Sequence, residues 1–350
     1  MNDDNTNIDL TKGQTLKELS KSLYKLCFDD NDKFVDFYFN KRYTAKNNFT
    51  ILKNRNPVVA LQVIPYTMTL FGAEIDLAYL SAICTHPDFR KQGLMTKLLE
   101  KTHKQLFDDG VHAAFLIPAE LPLFDAYRKN DYETVFYRTK RQINTCDFNV
   151  KNDCKIYEYS KADKHDVFRY FNGKMHERNC CIQHSFGDFE TVCEDIYNSK
   201  GIILIAEYGN RIAGISFASQ INADIAVSEH FAETQEISAS LLKAISQKTA
   251  SDNLIFIDIP QTEHCEAFGM MRIICVEQML GLYAKAHRNC ERTIFVKDNV
   301  IAENDGCYVI SNAECTKLPL ENPHEALNIA QLTQSLFDKQ KPYMSLMLNE

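Results

Sequence analysis

Residues 80–99 read LSAICTHPDFRKQGLMTKLL, and this stretch decides the fold of the first part of the chain. An apolar run predicts a strand, and the apolar spacing from Leu94 onward predicts an amphipathic helix. The turn between them contains Arg90, Lys91 and Gly93. Free backbone N–H groups at a helix N-terminus attract anions, and a glycine lets the backbone come close to them. The sequence therefore predicts that this turn holds a phosphate-bearing cofactor.

Two motifs resemble those of the GCN5-related N-acetyltransferases (GNAT). The first is R/Q-x-x-G-x-G/A, whose amides cradle the pyrophosphate of acetyl-CoA in that family; it is matched here by Arg90, Lys91, Gln92, Gly93, Leu94 and Met95. Met95 departs from the small residue that usually ends the motif. The second is the aromatic pattern near the end of the domain, which residues 124–133 (FDAYRKNDYE) resemble. Asp131 stands where glycine is usual, and aspartate also occurs in turns.

The resemblance covers nearly the whole chain and is to the Eis-like acetyltransferases in particular. It implies an α/β fold with mixed sheets, in which two tandem GNAT-like domains precede a small α+β domain. We expect a catalytic, acetyl-CoA-binding domain at 1–140, a degenerate GNAT-like domain at 141–265 and a short sterol-carrier-like domain at 266–350. Residues 230–242, HFAETQEISASLL, lead into a helix of the second domain without a basic R-x-x-G turn. Only the first domain is therefore expected to bind CoA.

Composition and charge indicate in which cellular compartment the protein works and which class of partner it binds. The chain has 350 residues, a net charge of −8 at pH 7 and twelve cysteines without a C-x-x-C pair. Its N-terminus is polar and no apolar run reaches membrane-spanning length, so we expect a cytoplasmic protein with free thiols that neither enters a membrane nor is secreted. Residues 141–350 carry 20 Lys and Arg against 29 Asp and Glu. This acidic surface disfavours nucleic acid and favours a cationic partner.

Acetyl transfer to an amine needs a polarised carbonyl, a base for the amine and an acid for the departing thiolate. The resemblance implies that acetyl-CoA lies along a splayed strand that supplies a backbone N–H; this strand contains Ala82, Ile83, Cys84 and Thr85. Cys84 is expected to be a small apolar strand residue rather than a nucleophile. Tyr127 matches the tyrosine of the family that protonates the thiolate, and an aromatic plug in the CoA channel is its alternative role.

The terminal carboxylate, here on Glu350, is the base that the subfamily resemblance implies. The last residues support burial of this end, because Tyr343, Leu346 and Leu348 alternate as in a buried strand. Closing a sheet is the alternative role of this end, and the side chain of Glu350 can take the place of the α-carboxylate.

Histidines in the second domain are the remaining candidates. His176, Glu177 and His184 follow the first helix of that domain, where the family builds the wall of the substrate cleft, so we expect them to contact substrate. Asp and Glu residues of the acidic part of the chain are equally good candidates to hold a cationic amine. The spacing of His176 and His184 with Cys180 and Cys181 matches no zinc pattern, so no metal is predicted.

The sequence therefore predicts an acetyl-CoA-dependent N-acetyltransferase that acts on a cationic small molecule or a lysine side chain. Homo-oligomers are common in the subfamily, and one is expected here. A non-catalytic CoA-binding or scaffold protein is the alternative. A lipid carrier built on residues 268–350 is a third hypothesis, which the shortness of that region disfavours.

Overall fold

The computed structural model describes residues 15–146, 148, 150, 154–259, 265–318 and 326–348. The first domain contains α1 (Leu16–Cys27), α2 (Asp32–Lys41), β1 (Asn48–Lys53), β2 (Asn56–Leu70), β3 (Ala73–Thr85), α3 (Leu94–Asp108), β4 (Ala113–Leu116), α4 (Leu121–Arg128) and β5 (Glu133–Asn144). Local capping sets where the first helices begin. The Thr15 hydroxyl accepts from the Glu18 N–H, and the Glu18 carboxylate accepts from the Thr15 N–H. The Asn31 side chain caps α2 by accepting from the Phe34 N–H.

The second domain repeats much of this order. It contains β6 (Lys155–Glu158), α5 (Lys164–His176), β7 (Cys181–Gln183), α6 (Phe186–Asn198), β8 (Ile202–Tyr208), β9 (Arg211–Ile221), β10 (Asp224–Ala232), α7 (Gln235–Thr249) and β11 (Asn253–Asp258). The β8–β9 turn has Gly209 and Asn210 at positive φ, the conformation that tight hairpins require. Helix α7 links the parallel pair β10–β11 as α3 links the parallel pair β3–β4.

The third segment contains β12 (Glu266–Ile273), α8 (Val276–Ala286), β13 (Arg292–Lys297), β14 (Gly306–Ser311), β15 (Glu314–Leu318), β16 (Ala326–Asn328) and α9 (Ile329–Phe337). Its last four strands form a small sheet in the order β15-β14-β13-β16. The predicted sterol-carrier resemblance of this segment stays a prediction. The two prolines between residues 318 and 324 predict a loop, which lies outside the described residues except for Leu318.

One sheet joins the two domains. In the described residues it has twelve strands, in the order β1-β2-β3-β4-β12-β5-β11-β10-β9-β8-β6, with β7 paired to β2. β5 crosses the predicted border at 140/141, since it pairs with β12 through residues 133–138 and with β11 through residues 139–144. β12 was assigned to the third domain from the sequence, but it lies between β4 and β5. The structure therefore places the start of the third segment in the sheet of the first domain.

Each face of the first domain's part of the sheet packs against a different set of elements. Helix α3 covers one face, with Leu98, Leu99 and Leu106 in an apolar core that includes Leu61 and Leu80. An aromatic cluster from α1 and α2 covers part of the other face, and residues of the third segment cover the remainder. The apolar side chains that the sequence predicts on one side of α3 are thus the ones that pack against the sheet.

The predicted α/β class with mixed sheets and two GNAT-like domains is confirmed. Strand β10 was missed, because Glu229 and His230 interrupt its apolar pattern. Both side chains are satisfied by residues far away in sequence, among them Arg178 and Ser216. None of the described helices is long and apolar enough to cross a membrane.

A fully buried ion pair connects β12 to the small sheet. The side chains of Arg272 and Asp298 are both 0% exposed, and Arg272 Nη2 lies 2.7 Å from Asp298 Oδ1. The Asp298 carboxylate also accepts from the N–H groups of Val300 and Ile301 and from the Asn304 amide. Several protein donors therefore bond the Asp298 carboxylate, and removing it would leave Arg272 as an uncompensated buried charge.

We expect Asp298→Ala to lower the free energy of unfolding by about 3–5 kcal/mol, because Arg272 would remain buried and unpaired. Chemical denaturation monitored by circular dichroism measures this change. Arg169→Ala is the matched control, since it breaks the exposed Arg169–Asp166 pair and should change little. Equal effects of the two variants would contradict the prediction.

Candidate active site

A cavity of about 480 Å³ lies where β3 and β4 part. The two strands pair only through Leu77–Tyr79 and residues 113–115. Beyond this point β3 continues to Thr85 without β4 as a partner. The described lining residues are Tyr24, Phe28, Asp30, Asn31, Phe34, Tyr79, Leu80, Ser81, Ala82, Ile83, Ile117, Ala119, Leu123, Tyr127, Ser199 and Leu348. We call this space the β3–β4 cavity. It brings together both ends of the described chain and the turn after α6.

A β-bulge turns the backbone of β3 at the cavity. Ser81 pairs with Gln62 and Cys84 pairs with Ala60, so two residues of β3 lie opposite one residue of β2. The first of these two, Ala82, has φ of 54°. A bulge bends the strand and changes the direction of its peptide groups. The predicted strand residues 82–85 therefore lie at a local distortion, where both Ala82 and Ile83 line the cavity.

The basic turn is exposed and has no side-chain cap. Residues 90–93 are solvent-exposed. Gly93 is the N-cap of α3 at φ 73°, and it supplies no side-chain cap to the first N–H groups of the helix. A Cβ built on Gly93 would meet nothing within 4 Å, so the approach to these N–H groups is open. The Met95 side chain packs against the α3 core, and the Gln92 amide donates to the Asp88 carbonyl at 3.2 Å.

The corresponding turn of the second domain is closed. The Thr234 hydroxyl accepts from the N–H of Ile237 at the start of α7. One of the N–H groups that an anion would use is therefore occupied by the chain itself. The sequence-based expectation that only the first domain has an anion-binding turn agrees with this geometry.

Tyr127 lies on α4 and is 5% exposed, with its side chain at the wall of the cavity. Burial raises the pKa of Tyr127 well above that of an ordinary phenol, and the nearby Cys84 raises it further. The hydroxyl is therefore protonated at neutral pH. Asp131, at the turn after α4, has φ of 62°, which is the conformation usual for the glycine it replaces.

An acidic and aromatic side of the cavity was missed from the sequence. The Tyr24 hydroxyl donates to Asp30 Oδ2 at 2.5 Å, and both residues line the cavity beside Phe28 and Phe34. Asp30 carries the one carboxylate among the described lining residues. The signal for it is the acidic run at residues 29–32 between two amphipathic helices, which reads equally well as a solvated loop.

The other wall comes from the last described residues. Residues 343–348 are buried, with exposures between 3% and 6%, as expected from the sequence. They do not form the expected strand, since Tyr343 makes one isolated bridge to Cys181 and successive side chains are buried alike. Leu348 lines the β3–β4 cavity. Glu350, the predicted base, lies outside the described residues, and its role stays a prediction.

The predicted substrate residues of the second domain lie elsewhere. His176 and His184 line a second, open cleft of about 610 Å³ that shares no described lining residue with the β3–β4 cavity. His176 Nε2 lies 2.6 Å from Glu74 Oε1, and Glu177 pairs with Lys174 at the surface. The structure thus separates these histidines from Tyr127, and their contact with substrate stays a prediction. No group of three potential metal ligands is found among the described residues.

A pair of thiols adjoins the basic turn. Cys27 Sγ donates to the Thr85 carbonyl at 3.3 Å, and Arg90 Nε donates to the same carbonyl at 3.2 Å. A hydrogen bond from Cys84 and the neighbouring Arg90 together lower the pKa of Cys27 to about 7. The Cys84 pKa is raised by that bond and by burial. Of the two thiols, Cys27 is the reactive one.

We expect alkylation of Cys27 by iodoacetamide to rise with pH around a midpoint near 7, because the thiolate is the reacting form. Cys84→Ala removes the main stabilising bond and should move the midpoint toward about 8.5, the value of an ordinary thiol. Peptide mass spectrometry follows the reaction, with exposed Cys265 as an internal reference for reagent. Identical midpoints in the two proteins would contradict the proposed bond.

The family comparison agrees with the motifs. Residues 13–135 match the family model described as the acetyltransferase (GNAT) domain. No curated protein matches the chain in sequence.

Solved structures share the fold over nearly the full chain. A GCN5-related N-acetyltransferase from Anabaena variabilis is 14% identical with a TM-score of 0.74, covering 93% of this chain and 95% of the other. A probable N-acyltransferase from Enterococcus faecalis is 14% identical with a TM-score of 0.73, covering 91% and 86%. Eis1 from Mycobacterium abscessus is 10% identical with a TM-score of 0.70, covering 92% and 87%. Residues 13–135 therefore correspond to an acetyltransferase (GNAT) domain, and the chain as a whole has a GNAT-like fold.

Proposed function

We propose that the protein is an acetyl-CoA-dependent N-acetyltransferase that acts on a cationic primary amine. One observation carries the proposal: the bulged strand and the buried phenol of Tyr127 line the cavity between β3 and β4, and the basic turn follows the end of that same strand, where Arg90 Nε donates to the Thr85 carbonyl. In this proposal an extended ligand runs along the end of β3 and contacts all three.

The residues of the basic turn fit a pyrophosphate. Arg90 and Lys91 supply positive charge, and the N-cap Gly93 places no side chain over the first N–H groups of α3. The open space around Gly93 allows an anion to reach them. Acetyl-CoA supplies the activated acyl group. In this proposal the bulge at Ala82 and Ile83 orients a backbone N–H toward the thioester oxygen.

Tyr127 holds the proton that the departing sulfur needs. Its raised pKa keeps the phenol protonated, and the hydroxyl can give this proton to a thiolate. For removal of the amine's proton we retain the carboxylate of Glu350, since Leu348, two residues earlier, lines the cavity.

The acceptor is proposed to be a cation with an apolar body. Asp30 attracts an ammonium group, and the rings of Tyr24, Phe28 and Phe34 contact the apolar part. Polyamines, aminoglycosides and lysine side chains have this chemistry.

We expect Tyr127→Phe to lower kcat by about 10²–10⁴-fold, with little change in KM for acetyl-CoA, because it removes the proton donor alone. Release of free thiol with a panel of polyamines, aminoglycosides and lysine peptides measures turnover. Tyr132→Phe is the control, since its hydroxyl bonds to His103 Nε2 away from the cavity lining. In the wild type, titration of Tyr127 should cause no loss of activity below about pH 10.

We expect the double variant Arg90→Ala/Lys91→Ala to weaken acetyl-CoA binding by about tenfold or more, and added salt to reduce the difference. Isothermal titration calorimetry measures the affinity. Arg211→Ala, which removes an exposed cation of the second domain, should leave the affinity unchanged. Tight CoA binding without thiol release for any amine would instead favour the non-catalytic CoA-binding protein.

A further inference from the structure

A buried carboxylate of the second domain lies beneath residues 343–348. Glu229 on β10 is 2% exposed. Arg178 binds it with both terminal nitrogens, Nη1 to Oε2 at 2.8 Å and Nη2 to Oε1 at 3.0 Å. Such a two-point pair fixes the plane of the carboxylate as well as its place.

The same carboxylate binds two hydroxyls of residues 343–348. Tyr343 Oη donates to Glu229 Oε2 at 3.0 Å, and Ser345 Oγ donates to it at 2.7 Å. The Arg178 guanidinium lies 4.5 Å from the centre of the Tyr343 ring. The anion is therefore the point on which both hydroxyls converge.

Backbone bonds continue this attachment. The Tyr343 N–H donates to the Cys180 carbonyl, and the Ile182 N–H donates to the Tyr343 carbonyl, both at 2.9 Å. His184 Nε2 lies 3.0 Å from the Ser345 carbonyl. Residues 343–345 are thus held by polar contacts from the second domain.

The apolar side chains of residues 343–348 go to two different cores. Tyr343 and Leu346 join the core of the second domain, whereas Met344 and Met347 join the core around β2, β3 and the third segment. Gly269 on β12 makes room for Met344, since a Cβ there would lie 2.2 Å from Met344 Cε. Residues 343–348 therefore lie between the domains.

Apolar burial alone does not fix the position of such a segment along its groove. A shift of the segment along the groove would remove the Tyr343 and Ser345 hydroxyls from Glu229 and leave a buried acceptor short of partners. The ion pair thus discriminates between positions, which is the better supported role of buried charges.

We infer that Glu229, oriented by Arg178, is a positioning residue that sets residues 343–348 so that Leu348 forms a wall of the β3–β4 cavity. The inference rests on the proposed acetyl transfer at that cavity. It gives the second domain, which lacks a basic anion-binding turn, a part in the reaction: its ion pair shapes the site at which the acceptor binds.

The test uses the full chain with Tyr343→Phe/Ser345→Ala, which removes both hydroxyls and keeps the Arg178–Glu229 pair. The matched control is Tyr308→Phe/Ser240→Ala, which removes two buried hydroxyls bonded to backbone carbonyls elsewhere. We expect KM for the acceptor amine to rise by about tenfold in the first variant alone, because a site that is not preorganised binds more weakly. KM for acetyl-CoA should stay unchanged, and amide hydrogen exchange should speed up in the 340–348 peptide.

Leu348→Ala completes the design. If the hydroxyls act through Leu348, their removal should raise the acceptor KM less in the Leu348→Ala background than in the wild type. If the effects of the two changes on the acceptor KM were simply additive, the hydroxyls would not act through Leu348.

The possible failures are distinguishable. A wild-type acceptor KM in Tyr343→Phe/Ser345→Ala, despite faster exchange, would overturn the inference and leave the proposed function standing. Unchanged exchange would overturn it as well. Absence of turnover in the wild type with every amine would overturn the proposed function, and with it the part assigned to the second domain in the reaction.

Discussion

The candidate site depends on the parting of two neighbouring parallel strands, β3 and β4. They pair through three residues each and then diverge, while β12 pairs with the other edge of β4. A bulge in β3 directs Ala82 and Ile83 toward the gap. Tyr127 and Leu348 line this gap, and the basic turn follows the end of β3.

The two domains show how one topology acquires different chemistry at a helix start. Both contain a parallel strand pair linked by a helix. In the first, Gly93 leaves the helix N-terminus open, whereas in the second Thr234 fills it with a hydroxyl. A glycine at the N-cap leaves the first N–H groups available to an anion, whereas a threonine hydroxyl occupies one of them. The second domain has the same arrangement of strands and helix, and it contributes contacts to residues 343–348 instead of an open helix N-terminus.

The contacts that join the domains are polar as well as apolar. Glu229 binds Arg178 and two hydroxyls near the last described residue, and Arg272 binds Asp298 beside the small sheet. Buried ion pairs of this kind add less stability than their short distances suggest, because desolvation offsets the attraction. Their effect is to select one arrangement of elements that apolar packing alone would leave less defined.

Local patterns in the sequence determined the α/β class, the α3 helix, the basic turn, the doubled domain and the burial of residues 343–348. Each of these depends on residues that are close together in the chain, where periodicity and turn chemistry act. Only the tertiary structure decided that β12 lies in the first sheet, that Asp30 and Leu348 share a cavity with Tyr127, and that His176 and His184 do not. Strand β10 was missed for the same reason: Glu229 looks like a surface residue until Arg178, 51 positions earlier, is brought beside it. Pairings over such distances have no periodic signature, because they are selected by the packing of whole elements.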